Sequence, residues 1–402
     1  MQYIINKERS NLRVITNSIF NRRFIIAFIG YFFLFMSVTL FFIFPLFLEQ
    51  FNTSKSRIGL IMGIQGLMAI FIRPIFGRLI DIKGRKKISL AGIGIMIITV
   101  PLYHFVQDAG AFPMIIRAMM GIGWGISMTA TMTICSDLAP VTRLAQSMGI
   151  IGVGGLLSGA LGPLLGEEIV TRFGFKGLFN TSLIFLLISF MCMLITKEIT
   201  NFNNSGRVQK KRLFGNVSVL TALLVAGLCI VHGSVRGSVV YFIALFGKSI
   251  LLERVGPFFV SFSFAAIMTR VFLGDISDRR GRKQVIIPAA LIVCLNLLLI
   301  SQLRSGWVLI AVGFIGGFAQ GLIFPALSTY IIDFLGRENK GLALSFYLTF
   351  FDFGMGFGTA FFGWIADMFG YRNMYLTGSG ILLIVSLLFA WKAPPPDSMR
   401  NN

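Results

Sequence analysis

The ten-residue stretch GRLIDIKGRK at residues 77–86 returns 197 residues later as GDISDRRGRK at residues 274–283. Five positions hold the same residue in both copies, and an arginine stands four residues upstream of each copy, as Arg73 and Arg270. Glycine permits a tight turn, and a carboxylate can meet a helix N-terminus or a following arginine. The repetition predicts a chain built from two related halves.

Two further matches have nearly the same offset, 196 residues. They pair Gly121, Gly125 and Asp137 with Gly317, Gly321 and Asp333, and Gly162, Gly174 and Phe175 with Gly358, Gly370 and Tyr371. Three separated matches indicate parallel repeats related by an axis along the membrane normal, an arrangement that places a solute site between the halves.

The composition is that of a membrane protein, with 55% hydrophobic residues, 13% charged residues and a mean hydropathy of +0.82. A bilayer core needs about 20 apolar helical residues per crossing. Apolar runs of that length predict twelve transmembrane helices at 24–48, 56–80, 88–107, 111–137, 142–169, 176–196, 217–247, 251–274, 284–303, 306–334, 340–366 and 371–391. The predicted fold is an all-α membrane protein with two pseudo-symmetric six-helix bundles.

The net charge of +20 comes from Lys and Arg that lie between the apolar runs. One side of the predicted topology holds 24 of them and the other side 8, with four inside or at the edge of helices. The positive-inside rule places both termini in the cytoplasm, and topogenic charge facing lipid explains the excess better than nucleic acid does. The predicted parts are a cytoplasmic segment 1–23, bundles 24–196 and 217–391, a cytoplasmic linker 197–216 and a cytoplasmic tail 392–402.

From Phe24 to Trp391 the sequence resembles the major facilitator superfamily, and the doubled loop is the most specific mark of that resemblance. The resemblance implies that the loops form a cytoplasmic latch for the outward-facing state. The latch residues are Gly77, Asp81, Gly84, Arg85, Gly274, Asp278, Gly281 and Arg282. The alternative is that the loops supply only topogenic charge and a tight turn.

The fourth predicted helix is similar to a signature of this superfamily, since Arg117 precedes a glycine-rich face, with Met120 where the pattern often has Gln. An arginine inside the bilayer is costly unless it is paired or lines an aqueous cavity. Arg117 is therefore a candidate for substrate binding or coupling, with structural pairing as the alternative.

The fifth predicted helix carries Gly162, Pro163 and Gly166, which partly match the Gly-Pro signature of the proton-linked exporters in this superfamily; Ser158 and Glu167 replace two expected glycines. Proline bends a helix and glycine permits close packing, which would also suit an importer. The resemblance favours export and leaves import open.

Polar residues inside the predicted bilayer region are the remaining candidates. His232 and Arg236 are four residues apart on one helical face, with Ser238 and Tyr241 nearby. Asp352 lies near the centre of the eleventh predicted helix. We expect Asp352 either to pair with Arg236 or to take up a coupling proton, with a purely structural ion pair as the alternative.

The first predicted helix has no acidic residue, although many proton-coupled drug exporters of the superfamily carry one there. The other candidates for the proton carrier are Asp137, Asp333, Glu167 and Glu168. The four cysteines have no metal-ligand spacing, so the sequence predicts neither a metal site nor a cofactor.

Three classes of function remain to be weighed. The first is a proton-coupled exporter of an amphipathic or drug-like solute, monomeric in the bilayer of the cytoplasmic membrane, with a Phe- and Met-rich cavity lined by helices one, four, seven and ten. The second is an uptake carrier for a small metabolite, for example an anion held by Arg117 and Arg236. A membrane enzyme, channel or receptor is the third, and no nucleotide loop or catalytic motif in the sequence favours it.

Overall fold

The computed structural model describes residues 21–140, 143–196, 219–335 and 340–394, and every regular element in these ranges is a helix. The predicted linker 197–216 lies outside the described residues. The α-helices are α1 (Arg22–Thr39), α2 (Phe44–Glu49), α3 (Lys55–Lys83), α4 (Arg85–Thr99), α5 (Ala111–Leu138), α6 (Leu144–Ile195), α7 (Val219–Ser249), α8 (Gly256–Leu273), α9 (Ile276–Arg280), α10 (Arg282–Ser301), α11 (Gly306–Leu335) and α12 (Lys340–Lys392). The 3₁₀ turns Leu40–Ile43 and Val100–Phe105 follow α1 and α4.

Helices α6 and α12 are each two membrane spans joined end to end. At 1.5 Å per residue, their apolar stretches of 50 residues would be about 75 Å long, more than twice the thickness of a bilayer core. Gly174 in α6 (φ 66°) and Gly370 in α12 (φ 80°) interrupt the helical dihedral angles. Ten apolar helical stretches in the described ranges, two of them double, correspond to the twelve predicted spans.

Both arms of α6 pack on the same helix, α1. In the arm after Gly174, the Ser182 hydroxyl donates to the Ser37 carbonyl (3.0 Å) and the Ser189 hydroxyl to the Gly30 carbonyl (2.8 Å). The arm before the break also bonds to α1. Because α1 has only 18 residues, both arms can lie along it only if the chain reverses at Gly174. The dihedral angles at Pro163 stay helical, so the break lies at the glycine.

The repeat is visible in the backbone. Four glycines in the described ranges have positive φ: Gly84 (93°) and Gly281 (94°) are 197 residues apart, and Gly174 (66°) and Gly370 (80°) are 196 apart. Residues other than glycine rarely adopt such angles. The two halves therefore turn at equivalent places, which confirms the predicted duplication.

Glycine also sets the helix packing alike in both halves. A Cβ atom on Gly121 would collide with the backbone of Gln65 in α3, and one on Gly317 would collide with the backbone of Phe262 in α8. Both contacts bring two helix backbones together where lipid supplies no hydrophobic drive for association.

The halves meet along two seams. In the α3–α12 seam, α3 packs on the arm 340–369; in the α6–α8 seam, the arm 144–173 packs on α8. Gly63 and Gly356 lie in backbone contact in the first seam. We call the face with both ends of the described chain, Asn21 and Pro394, the terminal face, and the other the opposite face.

Candidate functional site

The opposite face is held closed at the α6–α8 seam by Glu167. Its two carboxylate oxygens accept hydrogen bonds from the backbone N–H groups of Val255 and Gly256, each at 2.7 Å. These N–H groups begin α8 and have no partner within that helix. A carboxylate at a helix N-terminus also gains from the helix dipole. Glu167, which the sequence offered as one candidate for the proton carrier, therefore joins the two halves.

The α3–α12 seam is closed in the same way by Asp367. Its carboxylate oxygens accept hydrogen bonds from the N–H groups of Lys55 and Ser56, each at 2.7 Å, at the start of α3. The Lys55 ammonium donates to the Ala366 carbonyl at 3.0 Å. We call Glu167 and Asp367 with these bonds the two carboxylate caps.

A cavity of 520 Å³ lies between the halves on the side of the terminal face. Its lining includes Met128, Met132 and Met148 from the first half and Leu348 and Thr349 from the second. The lining residues belong to α3, α5, α6 and α12. The predicted lining by spans one, four, seven and ten is thus wrong for this cavity except for span four. The wall contains methionine, as expected, but threonine and serine in place of the expected phenylalanine.

Near the deep end of this cavity, Arg73 forms an ion pair with Asp352 across the α3–α12 seam. The side chains are 19% and 18% exposed, so both charges are largely removed from water. The expected pairing of Asp352 with Arg236 is wrong, because Asp352 faces α3. The sequence showed Arg73 as a repeated arginine, but nothing in the repeat pointed to its partner.

Arg117 is buried among aromatic rings near the start of α5, with 1% of its surface exposed. Its guanidinium carbon lies 5.9 Å from the ring centre of Phe41 and 5.8 Å from that of Phe44. Its Nε and Nη1 atoms have no hydrogen-bond partner among the described residues. Arg117 is also within electrostatic range of the Tyr103 and Tyr241 phenols.

The polar residues of α7 have separate partners. The Nε2 atom of His232 lies 2.9 Å from Oε1 of Gln320 in α11, a residue that the sequence did not single out. Arg236 lies over the ring of Phe262, 4.0 Å from its centre. Tyr241 is 8% exposed and within electrostatic range of Arg117, Arg236 and Asp352. Tyr241 thus connects a cation of the first half with one of the second.

The repeated loops make equivalent ion pairs at the terminal face. Arg85 pairs with Asp137 at the end of α5, and Arg282 pairs with Asp278 and lies 3.3 Å from Asp333 at the end of α11. Asp137 and Asp333 are thus engaged by loop arginines. The surroundings of Gly77 and the side chain of Asp81, two predicted latch residues, lie outside the described part of the structure.

The remaining motif residues shape packing. Gly162 faces Thr39 and Gly166 faces Ile43, so this stretch around Pro163 packs on the first predicted span of its own half. Gly274 lies against the carbonyl of Arg270, next to the loop turn at Gly281.

Comparison of this sequence with known protein families agrees with this architecture. The family described as the Major Facilitator Superfamily matches residues 27–253 and 252–402. The multidrug resistance protein MdtG of Dickeya zeae (strain Ech586) is 25% identical over 354 residues, covering 85% of this chain and 86% of that protein. MdtG of Salmonella typhi is 26% identical over 367 residues, covering 87% and 89%.

Solved structures share the architecture at low sequence identity. A point mutant of the nucleoside transporter NupG has a TM-score of 0.78 at 13% identity, covering 92% of this chain and 99% of that one. A bacterial homologue of the human lysosomal transporter Spinster, in an inward-facing and occupied conformation, has a TM-score of 0.75 at 15% identity, covering 92% and 96%. These likenesses support the fold alone.

Proposed function

Because this chain belongs to the major facilitator superfamily, we propose that it exports small amphipathic solutes across the cytoplasmic membrane in exchange for protons. The chain is a multi-pass membrane transporter of small solutes. We assign it no catalysed reaction, and we propose that it acts as a monomer. The predicted topology has 24 basic residues on one side and 8 on the other, and by the positive-inside rule we place the terminal face in the cytoplasm.

The observation that carries the proposal is the one-sided access to the space between the halves. The cavity of 520 Å³ lies toward the terminal face, whereas the two carboxylate caps hold the opposite face closed. A transporter that alternates between two such states moves its solute by rocking the halves around a shared site. In this proposal, the structure is the state that takes up solute from the cytoplasm.

The proposed proton carrier is Asp352, with Arg73 as its partner. Protonation of the carboxylate would remove its charge and weaken the ion pair across the α3–α12 seam. The seam would then separate more easily on the side of the cavity, and a bound proton would shift the balance between the two states. An intramembrane carboxylate that can be paired or neutral is suited to this task.

The direction of transport rests on the relatives. The matched curated relatives are named multidrug resistance proteins, which favours efflux and does not favour the uptake alternative. The latch at residues 77–86 and 274–283 belongs to the same proposal, since closing the terminal face would bring these loops together in the outward-facing state.

The test uses inverted membrane vesicles that are acidified inside by respiration. Three fluorescent dyes serve as probes: ethidium as a cation, Nile red as a neutral molecule and 8-anilinonaphthalene-1-sulfonate as an anion. We expect at least one dye to accumulate and to consume the proton gradient. Accumulation that continues after an uncoupler collapses the gradient, or failure of all three dyes, would contradict the proposal.

A further inference from the structure

The charges between the halves do not balance. Arginines 73, 117, 236 and 270 lie inside or at the edge of the membrane spans, and Asp352 is the carboxylate near the middle of its span. Among the described residues, only Arg73 of these four forms an ion pair. An unpaired charge in the membrane interior costs several kcal/mol, so such charges mark functional sites.

Arg117 shows the imbalance most clearly. The side chain is 1% exposed, and two of its nitrogens, Nε and Nη1, have no partner within the described ranges. The faces of Phe41 and Phe44 offer a cation–π contact at 5.8–5.9 Å, which contributes about 0.5–2 kcal/mol. This contact offsets only part of the loss of hydration. The neighbouring Tyr103 and Tyr241 phenols are neutral acceptors, so Nε and Nη1 have no charged partner among the described residues and can bind an anion.

Arg236 completes a two-cation arrangement that spans both halves. It belongs to α7 of the second half, lies 4.0 Å from the centre of the Phe262 ring and has no carboxylate partner in the part of the chain that the structure describes. The Tyr241 phenol is within electrostatic range of both arginines. Arg117 lies six residues into α5, about 9 Å from its start, and Tyr241 lies eight residues before the end of α7, about 12 Å from it. Tyr241 is therefore at a depth similar to that of Arg117, and Arg236, five residues earlier in α7, lies about 8 Å deeper, on the side of the cavity.

The surroundings indicate what an anionic ligand would look like. A guanidinium binds the planar or tetrahedral oxygens of carboxylate, sulfonate or phosphate with two parallel hydrogen bonds. The neighbouring side chains are aromatic: Phe42 is 6.0 Å from Tyr241 between ring centres, and Phe259 is 5.9 Å from Phe42. Aromatic walls pack against an apolar or aromatic body.

We propose that Arg117 and Arg236 bind the anionic group of an amphipathic aromatic solute between the two halves, beside Tyr241. This inference rests on the proposed export function and names its substrate class. The solute reaches the arginines past the Arg73–Asp352 pair at the deep end of the cavity. It leaves when the carboxylate caps at the opposite face open.

The test is equilibrium binding to the purified full chain in detergent, with no proton gradient. The probes are naphthalene-2-sulfonate and the uncharged naphthalene-2-sulfonamide, which have the same ring system. We expect the wild-type protein to bind the sulfonate at least tenfold more tightly. Equal affinities for the two probes in the wild-type protein would overturn the proposal, and this comparison needs no variant to fold.

Two substitutions locate the site. Arg117→Gln and Arg236→Gln should each weaken sulfonate binding about tenfold and change sulfonamide binding less than twofold, because each removes a charge-assisted contact that the uncharged probe does not make. The control is Arg372→Gln, an exposed arginine at the opposite face, which should leave both affinities unchanged. Sulfonate binding that survives both single substitutions in folded protein would place the anion elsewhere and refute the assignment.

The binding test and the export test can fail separately. Sulfonate selectivity in a protein whose vesicles accumulate none of the dyes would support the anion site and refute export. Proton-driven accumulation of ethidium in a protein that does not prefer the sulfonate would support export and refute the anion site.

Discussion

The α3–α12 and α6–α8 seams both end at the opposite face in a carboxylate that binds the first N–H groups of the facing helix. Asp367 binds the start of α3, and Glu167 binds the start of α8. In repeat numbering, however, Asp367 corresponds to Thr171, one helical turn from Glu167. Both seams are thus closed at the opposite face by the same kind of contact, but the two carboxylates do not occupy equivalent positions in the repeat.

Deeper in the membrane the two seams differ. Arg73 and Arg270 occupy equivalent repeat positions, but Arg73 pairs with Asp352, whereas the residue equivalent to Asp352 is Leu156. Arg270 instead lies over the ring of Phe324, 5.3 Å from its centre. Both seams therefore contribute to closing the opposite face, whereas among the described residues only the α3–α12 seam has an ion pair in its interior. Four sets of substitutions test this difference.

The largest effect is expected from Asp352→Asn. Without a titratable group in the seam, proton-driven dye accumulation in inverted vesicles should fall on the order of a hundredfold, equivalent to about 2.7 kcal/mol. Expression should be preserved, because asparagine is of similar size. Asp108→Asn is the control, since Asp108 is exposed and its carboxylate bonds only to its own loop, at Gly110 (2.7 Å). Unchanged accumulation in Asp352→Asn would remove this residue from the coupling role.

Removing the arginine from each seam should affect stability unequally. Arg73→Gln leaves Asp352 as an unpaired, mostly buried carboxylate and should destabilise the protein by about 1–3 kcal/mol, a range reduced because the pair is partly exposed. Arg270→Gln leaves no carboxylate among the described residues without its partner and should lower the free energy of unfolding less. Thermal unfolding in detergent measures both. Equal losses would indicate that the two seams are energetically alike.

The carboxylate caps should contribute equally to closure. Glu167→Gln and Asp367→Asn each replace charge-assisted bonds to a helix N-terminus, worth about 1 kcal/mol, and should each favour opening about fivefold. Spin labels at Gln107→Cys and Leu251→Cys, in a protein without its native cysteines, report the distance across the opposite face. Glu168→Gln removes exposed ion pairs with Arg172 and, across the same seam, with Arg254, and should shift that distance less because exposed pairs are weak. Opening by only one of the two cap variants would show that one seam dominates.

The smallest effect is expected from an exposed ion pair at the opposite face. Lys248 donates to Glu49 at 2.7 Å between exposed side chains, and such pairs contribute about 0–1 kcal/mol. Glu49→Gln should shift the same spin-label distance less than either cap substitution, and added salt should mask the effect. A shift as large as that of Glu167→Gln would mean that general electrostatic attraction, rather than the caps, closes this face.

The sequence predicted the parts that depend on hydropathy and duplication. Twelve apolar runs and the turns at Gly84 and Gly281 follow from local composition and glycine geometry, and the structure has them. The predicted runs also leave a gap at residues 170–175, in which the structure places the break at Gly174. The sequence also placed Asp352 in the membrane interior, where it lies.

The partner of each charge could not be predicted in this way. A helical pattern gives the depth of Asp352 but not whether it faces α7 or α3, because that depends on how the two halves are rotated against each other. Asp367 lies near the end of its arm, where sequence alone does not distinguish a solvated carboxylate from one bound to a facing helix. The roles of Arg117, Arg236 and Asp352 stay predictions until the variants are measured.

The reversals at Gly174 and Gly370 restrict how each half can move. A single residue joins the two arms on either side, so the linkage has no slack to absorb relative sliding. If the arm 144–173 tilts during the cycle, the arm 175–195 must follow it, and the same holds for the arms of α12. Inserting a few flexible residues at Gly174 or Gly370 would allow the two arms to move independently. These two positions are therefore poor places for an inserted epitope tag.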